Sequence, residues 1–294
     1  MPAEWRGDKF AQPGDFPLLV KFIFPQDKLS IQVHPDDAYA SVHEKAAGGC
    51  GKTEMWHAVS AEPGAQVLVG LKPGVDKEKF LEALRAHMLE KLFVAHPVHA
   101  GDTFFLPAGT PHTIGPGMVL CEVQQYSDLT YRVYDYERVD SHGKKRQLHI
   151  EKALEVMHFG AGQEVRTRPL ALGREGMDLA IDGTGGMLLA ACRYFGAARW
   201  DIARTQKWSW EDGATEFAVF AFLVGTGLIV WPEGKATFKA GECWFMPAGL
   251  EEYSVVPYGS TSLLEIFVPD ISGLRKQLVD DGFAKDSFSR TVFQ

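Results

Sequence analysis

The sequence holds little cysteine: four residues, at positions 50, 121, 192 and 243, none at the short spacing of a CxxC pair. That excludes a disulfide-stapled scaffold and a cysteine-built zinc site. It has no excess of basic charge either: 30 Lys and Arg face 38 Asp and Glu, a formal net charge of −8. A generic binder of nucleic acid or of an anionic membrane needs a broad basic surface, so neither partner is expected. A small basic pocket for a phosphorylated metabolite stays compatible with this balance. No apolar run approaches the length of a membrane span. The opening MPAEWRGDKFAQPGD lacks the apolar centre of a signal peptide. A soluble, cytoplasmic protein is the expectation.

What is present is a strand-rich, two-part chain. At 294 residues the length suits two domains or one large β unit. Apolar residues make up 46%, enough to exclude wholesale disorder, and 19 Phe favour strands and a large core. FPLLVKFIF from Phe16 reads as a strand buried on both faces. KLSIQVHP, EMWHAVS, AQVLVGL, DTFFLPA, MVLCEVQQ and YRVYDY follow as strands. Between Val75 and Phe93 the rhythm changes: Phe80, Leu81, Leu84, Met88, Leu89 and Leu92 form a helical stripe. A second helix is expected near 148–159. Residues 160–186 read as a linker. Strands return over 187–202, 216–225, 228–231, 243–248 and 262–268, and a short helix is expected near 272–281.

One frame occurs twice. GDTFFLPAG starts at Gly101 and GECWFMPAG starts 140 residues later, at Gly241. Turn residues alone are common punctuation, but nine aligned positions of like character point to two copies of one β-barrel unit. The expected organisation is therefore 1–159 as a first lobe with a helical insertion near 75–93, 160–186 as linker, and 187–294 as a second lobe. On the repeat frame His112 falls on Glu252, and no His follows His158. Phe220, Phe222, Trp244 and Phe245 are candidate core residues of the second lobe.

The chemistry-bearing residues lie in the first lobe. In IQVHPDD, Gln32 and His34 share one strand face, and Ile31 and Val33 take the other. The alternative is a surface His beside a Gln. In GKTEMWH, Lys52, Glu54 and Trp56 share a face, read either as site residues or as a half-buried Lys–Glu pair. His57 falls on the opposite face and is not expected to be a ligand. His112, in PAGTPHTIGPG, sits after a turn stiffened by Pro and Gly, and is either structural or metal-binding. Taken together, His34, Glu54 and His112, with Gln32 as a weak neutral fourth donor, suit Zn²⁺ or another first-row divalent ion with room left for water or substrate. His43, His87, His96, His99, His142, His149 and His158 fit no such set. In CEVQQYSDLTYRVYD, Glu122 and Gln124 share a face, and Arg132 lies in the next strand. Arg132 either pairs with Asp128 or Asp135, or presents its fork to a phosphate or carbonyl.

In this order, FPLLVKFIF, LSIQVHPDD, GKTEMW, GDTFFLPAGTPHTI and SDLTYRVYDY resemble the type I mannose-6-phosphate isomerases, most nearly the short bacterial form of that cupin family. The match is continuous from about Phe16 to Leu154 and then weakens to the repeated frame. The resemblance implies a mainly β fold: two cupin-type (double-stranded β-helix, or jelly-roll) barrels with helical insertions. It implies one Zn²⁺ per chain, held by His34, Glu54 and His112, with Gln32 less secure. It implies a catalytic Arg132 and active-site positions for Lys52 and Glu122. The implied reaction is interconversion of mannose 6-phosphate and fructose 6-phosphate through an enediolate, so the partner is a small phosphorylated sugar. Glu122 and Lys52 are the candidate bases; a Lys serves only if its pKa is lowered. Members of the family carry several tens of residues before the segment matching FPLLVKF, where this chain has 15. An iron-dependent oxygenase cupin and a non-enzymatic sugar-phosphate sensor are the alternative readings.

Overall fold

Alternating and β-branched runs fold as the strands they encode, and short Gly- and Pro-containing turns reverse the chain between them. The computed structural model describes residues 5–7, 16–160, 164–172, 184–209 and 216–293. The chain divides into two compact units, Pro17–Thr167 and Met1–Phe16 with Arg168–Gln294. Of the expected linker, residues 161–163 and 173–183 lie outside the described residues, as does most of the N-terminal lead-in. The described part is not loose: Val165 is buried and Leu170–Leu172 pairs as a strand.

The Pro17–Thr167 unit contains strands β1 (Leu18–Ile23), β2 (Ile31–Val33), β3 (Glu54–Ala61), β4 (Gln66–Leu71), β5 (Phe93–Pro97), β6 (Thr103–Leu106), β7 (His112–Ile114), β8 (Met118–Gln125) and β9 (Tyr131–Tyr134). Its helices are α1 (Asp37–His43), α2 (Lys77–Arg85) and α3 (Ile150–Val156). One antiparallel sheet runs β1-β8-β3-β6, the other β5-β4-β7-β2-β9. The second unit contains β10 (Leu170–Leu172), β11 (Thr184–Ala191), β12 (Gly196–Ile202), β13 (Gln206–Ser209), β14 (Ala218–Val224), β15 (Thr226–Trp231), β16 (Gly234–Lys239), β17 (Cys243–Met246), β18 (Glu252–Pro257), β19 (Thr261–Phe267) and α4 (Ile271–Asp280). Its sheets run β10-β11-β12-β19-β14-β17 and β13-β18-β15-β16. Set β12 to β19 against β1 to β8 and the strand orders coincide. Each unit is built on an eight-stranded jelly roll of the cupin type, to which β9 adds one strand in the first and β10 and β11 add two in the second, and the repeated sequence frame is the β6 and β17 segment of each.

The first barrel divides its interior along its length. At one end Ala58, Val67, Phe104, Ile114, Met118 and Leu120 pack into a fully apolar core. At the other end the inward positions of β2, β3, β7 and β8 carry Gln32, Glu54, His112 and Glu122, with Trp56 at the boundary. The outer face of the β2 sheet is also covered: Ile31, Val33 and Val133 are buried with Phe80, Phe93 and Ala153. The alternation of QVH thus serves two environments, polar inside and apolar outside.

Two local expectations are corrected. β1 is not buried on both faces; only Leu18 is buried and the remainder is half-buried, because β1 is an edge strand paired to β8 alone. The helical stripe over 75–93 is broken. α2 ends at Arg85, His87 adopts a left-handed backbone with φ 54°, and a short 3₁₀ turn, Leu89–Leu92, leads into β5. The break turns Leu89 into the core.

The second barrel corrects the repeat frame by one residue. β18 turns Tyr253 and Val255 inward, and Glu252 is exposed, its Oε2 lying 2.5 Å from Lys207 Nζ. The register partner of Tyr253 is Trp208, just as that of His112 is Gln32. Phe220 meets Tyr253 edge-on at 5.6 Å, as Trp56 meets His112 at 5.2 Å. Aromatic rings therefore occupy the places where the first barrel has its imidazole and amide. Phe220 and Phe222 are fully buried, whereas Trp244 and Phe245 are half-buried.

The loop before His112 depends on Gly109, whose φ is +85° and whose added Cβ would lie 2.6 Å from the His158 ring and 2.8 Å from the Val156 carbonyl. Gly109→Ala is expected to destabilise the fold by more than about 1 kcal/mol. A lowered denaturation midpoint in urea at unchanged m-value checks this.

Candidate metal centre and active site

Register places the polar side chains. In an antiparallel pair, directly opposed residues share a face. Gln32 opposes His112 on one side and Arg132 on the other. Glu54 opposes Gln124, and Trp56 opposes Glu122, which in turn opposes Lys21. His34 follows β2 directly and is 2% exposed, against 1% for Glu54 and for His112.

The two imidazoles are oriented by the main chain. His34 Nδ1 lies 2.7 Å from the Leu129 carbonyl and His112 Nδ1 lies 2.9 Å from the Thr110 carbonyl. A carbonyl oxygen only accepts, so in each neutral ring Nδ1 carries the proton and Nε2 presents its lone pair. Those lone pairs face Glu54: His112 Nε2 is 3.3 Å from Oε1 and His34 Nε2 is 3.5 Å from Oε2. Glu54 Oε1 is buried and has no hydrogen-bond partner. At His112 Nε2 and Glu54 Oε1 two acceptors therefore face each other in the interior with no proton between them. A cation resolves that arrangement, and the donor set of two nitrogens and a carboxylate fits a first-row divalent ion. Among the described residues, His34, Glu54 and His112 form the one cluster of three potential ligands, with ligand atoms within 4.8 Å of one another.

Gln32 is adjacent, its amide nitrogen donating to His112 Nε2 at 3.2 Å and its oxygen accepting from Ser30 at 3.3 Å. Lys52 is 4% exposed; its ammonium donates to Glu54 Oε2 at 2.5 Å and to His34 Nε2 at 3.1 Å. Burial works against its charge, but Glu54 and Glu122 outweigh burial and hold its pKa above that of a free Lys. That direction favours an ammonium donor over a lysine base. Glu122 accepts from the Trp56 indole at 2.9 Å. Burial and the neighbouring Glu54 push its pKa up, against the opposing pull of Lys52, Lys21 and the indole N–H.

Arg132 is half-buried. Its Nε donates to Ser30 Oγ at 3.3 Å and its Nη1 to the Gln147 carbonyl at 3.0 Å. The pairing with Asp128 or Asp135 is not formed. Asp135 instead holds Arg138 and Arg146, and Asp128 lies 3.6 Å from Lys21. Burial first, then the nearby Arg146, lowers the Arg132 pKa. His57 is buried elsewhere, with Nδ1 2.9 Å from Thr103 Oγ1. Lys21 is the inward residue that sequence reasoning passed over. Its Nζ donates to Gln124 at 3.0 Å and lies 3.6 Å from Glu122. The available signal was a single cation inside the apolar run LLVKFI.

Fold and site together define a cupin-type barrel protein with a buried centre of two histidines and one carboxylate. No family model matches the chain. The mannose-6-phosphate isomerase of Streptococcus mutans is 34% identical over 238 residues, covering 81% of this chain and 70% of that protein. The mannose-6-phosphate isomerase ManA of Bacillus subtilis is 33% identical over 243 residues, covering 83% and 73%. Among solved structures, the Bacillus subtilis mannose 6-phosphate isomerase superposes with a TM-score of 0.76 at 28% identity, over 87% of this chain and 76% of that one. This chain belongs to the mannose-6-phosphate isomerase family, a family of aldose–ketose isomerases.

Burial depresses the pKa of His34 well below 6.5 and that of His112 to about 4. In the unfolded chain both take up a proton near 6.5, so between that value and about 4 the unfolded state binds more protons than the folded state. Their contribution to stability is therefore full above pH 6.5 and is lost as pH falls toward 4. Urea unfolding of metal-free protein is expected to show this decline, reduced in His112→Asn.

Proposed function

We propose that this chain interconverts mannose 6-phosphate and fructose 6-phosphate, with one Zn²⁺ held by His34, Glu54 and His112; Gln32 would serve as a neutral fourth donor once its amide turns its oxygen, now on Ser30, toward the ion. The observation that carries this reading is the pair of inward imidazole lone pairs turned to the Glu54 carboxylate, His112 toward the partnerless Oε1 and His34 toward Oε2, beside a second buried carboxylate, Glu122. The substrate follows from the names of the relatives. In the second barrel the corresponding inward places hold Trp208, Ala218 and Tyr253, so the first unit is the catalytic lobe and the second a degenerate copy.

The reaction moves one proton between carbons. The open-chain aldose loses a proton from C2, the electron pair forms a C1–C2 double bond, and negative charge develops on O1. The O2 proton passes to O1 and C1 takes up a proton, which leaves the carbonyl at C2 and gives the ketose. The bound ion would supply Lewis-acid stabilisation of the developing oxygen charge. Glu122 is the base in this reading: a raised proton affinity suits a carboxylate that must take a proton from carbon and return it. Lys52 remains an ammonium and donates to a substrate oxygen as charge grows there. Arg132, on the same sheet face as Gln32 and His112, presents a planar fork to the developing charge.

The purified chain is expected to convert mannose 6-phosphate to fructose 6-phosphate in a coupled assay. Absence of turnover in metal-replete protein, or oxygen uptake by an iron-loaded form, would reject the reading. Arg132→Lys keeps the charge but loses the fork. It is expected to lower kcat about 100-fold with a smaller change in KM. A change in KM alone would make Arg132 a binding residue instead.

A further inference from the structure

Lys52 is pinned by three consecutive backbone hydrogen bonds, and two of them end on side chains that belong to other elements. Gly51 N donates to Asp37 Oδ1 at 2.8 Å, Lys52 N to the Pro35 carbonyl at 3.0 Å, and Thr53 N to Gln125 Oε1 at 2.8 Å. The two side-chain acceptors are themselves joined: Gln125 Nε2 donates to Asp37 Oδ1 at 2.9 Å. Asp37 opens α1 and Gln125 ends β8, so the segment carrying Lys52 is held from both sides by one linked pair. Gln125 also donates its backbone N–H to the Thr53 carbonyl at 3.2 Å. Gly51 makes the fit possible. A Cβ there would lie 2.5 Å from the Asp36 carbonyl carbon and 2.6 Å from the Asp37 nitrogen, so the loop lies against the start of α1 with no room for a side chain.

We propose that Asp37, acting through Gly51 and Gln125, is a positioning residue that fixes the Lys52 backbone and so holds its ammonium at Glu54. This rests on the reading of Lys52 as part of the isomerase machinery. A four-carbon side chain has several rotatable bonds, and a fixed Cα limits how far its head wanders from the Glu54 carboxylate. The three amides from 51 to 53 supply that fixing. The acceptor atom, Oδ1, is what the clamp uses; the charge of Asp37 is not. Asp37→Asn keeps a carbonyl oxygen in the same place, whereas Asp37→Ala removes it.

The test measures kcat, KM, bound metal and amide hydrogen exchange in Asp37→Ala, Asp37→Asn, Lys52→Met and the Asp37→Ala/Lys52→Met double variant. Asp37→Ala is expected to lower kcat about 10- to 100-fold with KM and metal content unchanged. It should also speed exchange at Gly51, Lys52 and Thr53 alone. Asp37→Asn is expected to restore activity to within a few-fold of the parent. The double variant is expected to be no worse than Lys52→Met, because two residues acting through one group are not additive. Additive losses, an unchanged Asp37→Ala enzyme, or a loss not rescued by Asn would overturn the proposal. Hydrogen exchange reads the clamp without reference to turnover. If the parent chain lacks isomerase activity the functional reading fails, and exchange at 51–53 unaffected by Asp37→Ala would separately refute the clamp.

Discussion

The site depends on buried acceptors that face one another. Backbone carbonyls fix the protons of both imidazoles on Nδ1 and so turn both Nε2 lone pairs toward the Glu54 carboxylate. An unmatched buried acceptor costs on the order of 1–3 kcal/mol. The fold tolerates that at Glu54 Oε1, with Lys52 satisfying the other carboxylate oxygen. A site with preset tautomers and an open carboxylate oxygen is organised for a cation before one arrives, which is what preorganisation requires. Burial reinforces the arrangement by keeping both rings neutral, the form in which they bind metal.

The duplication shows the same scaffold with a polar end in one copy and an apolar one in the other. Both barrels share the eight-strand order, and both close one end with apolar side chains. In the first, the other end is polar. In the second, Trp208, Phe220 and Tyr253 extend the apolar core into that end, with Trp208 and Tyr253 stacked at 5.6 Å. Filling a site with rings removes desolvated polar groups and adds buried area, so the second barrel takes its stability from the whole of its interior. The first barrel gives up that packing at one end in order to hold Glu54, Glu122, Lys52 and two histidines in low dielectric.

Much of the fold and candidate site was legible in the chain because the signals are local. QVH and KTE alternate at strand ends, with His34 just after β2 and Lys52 just before β3, and the alternation carries on far enough to bring Gln32 with His34, and Lys52 with Glu54, to the same site. The PAG turn marked the β6–β7 corner in each barrel. What was not legible depends on partners distant in sequence. The edge position of β1 left its apolar run half-buried, and Lys21 became an inward cation only through its register with Glu122. The repeat frame put His112 on Glu252, but the strand after the second turn faces the other way, so Tyr253 is the inward residue. The helical stripe over 75–93 had the right period, and the left-handed backbone at His87 ended it. The Asp37–Gln125 clamp joins residues from two elements, and no spacing rule connects them.

The most direct measurement of the central claim is bound metal and isomerase turnover determined on the same samples, as the protein is dialysed against chelator and then reloaded with Zn²⁺. Turnover is predicted to track metal content and to saturate at about one ion per chain, as a single three-ligand site requires, and Glu54→Gln is predicted to lose both together. Full turnover in protein shown by elemental analysis to be metal-free would contradict the account.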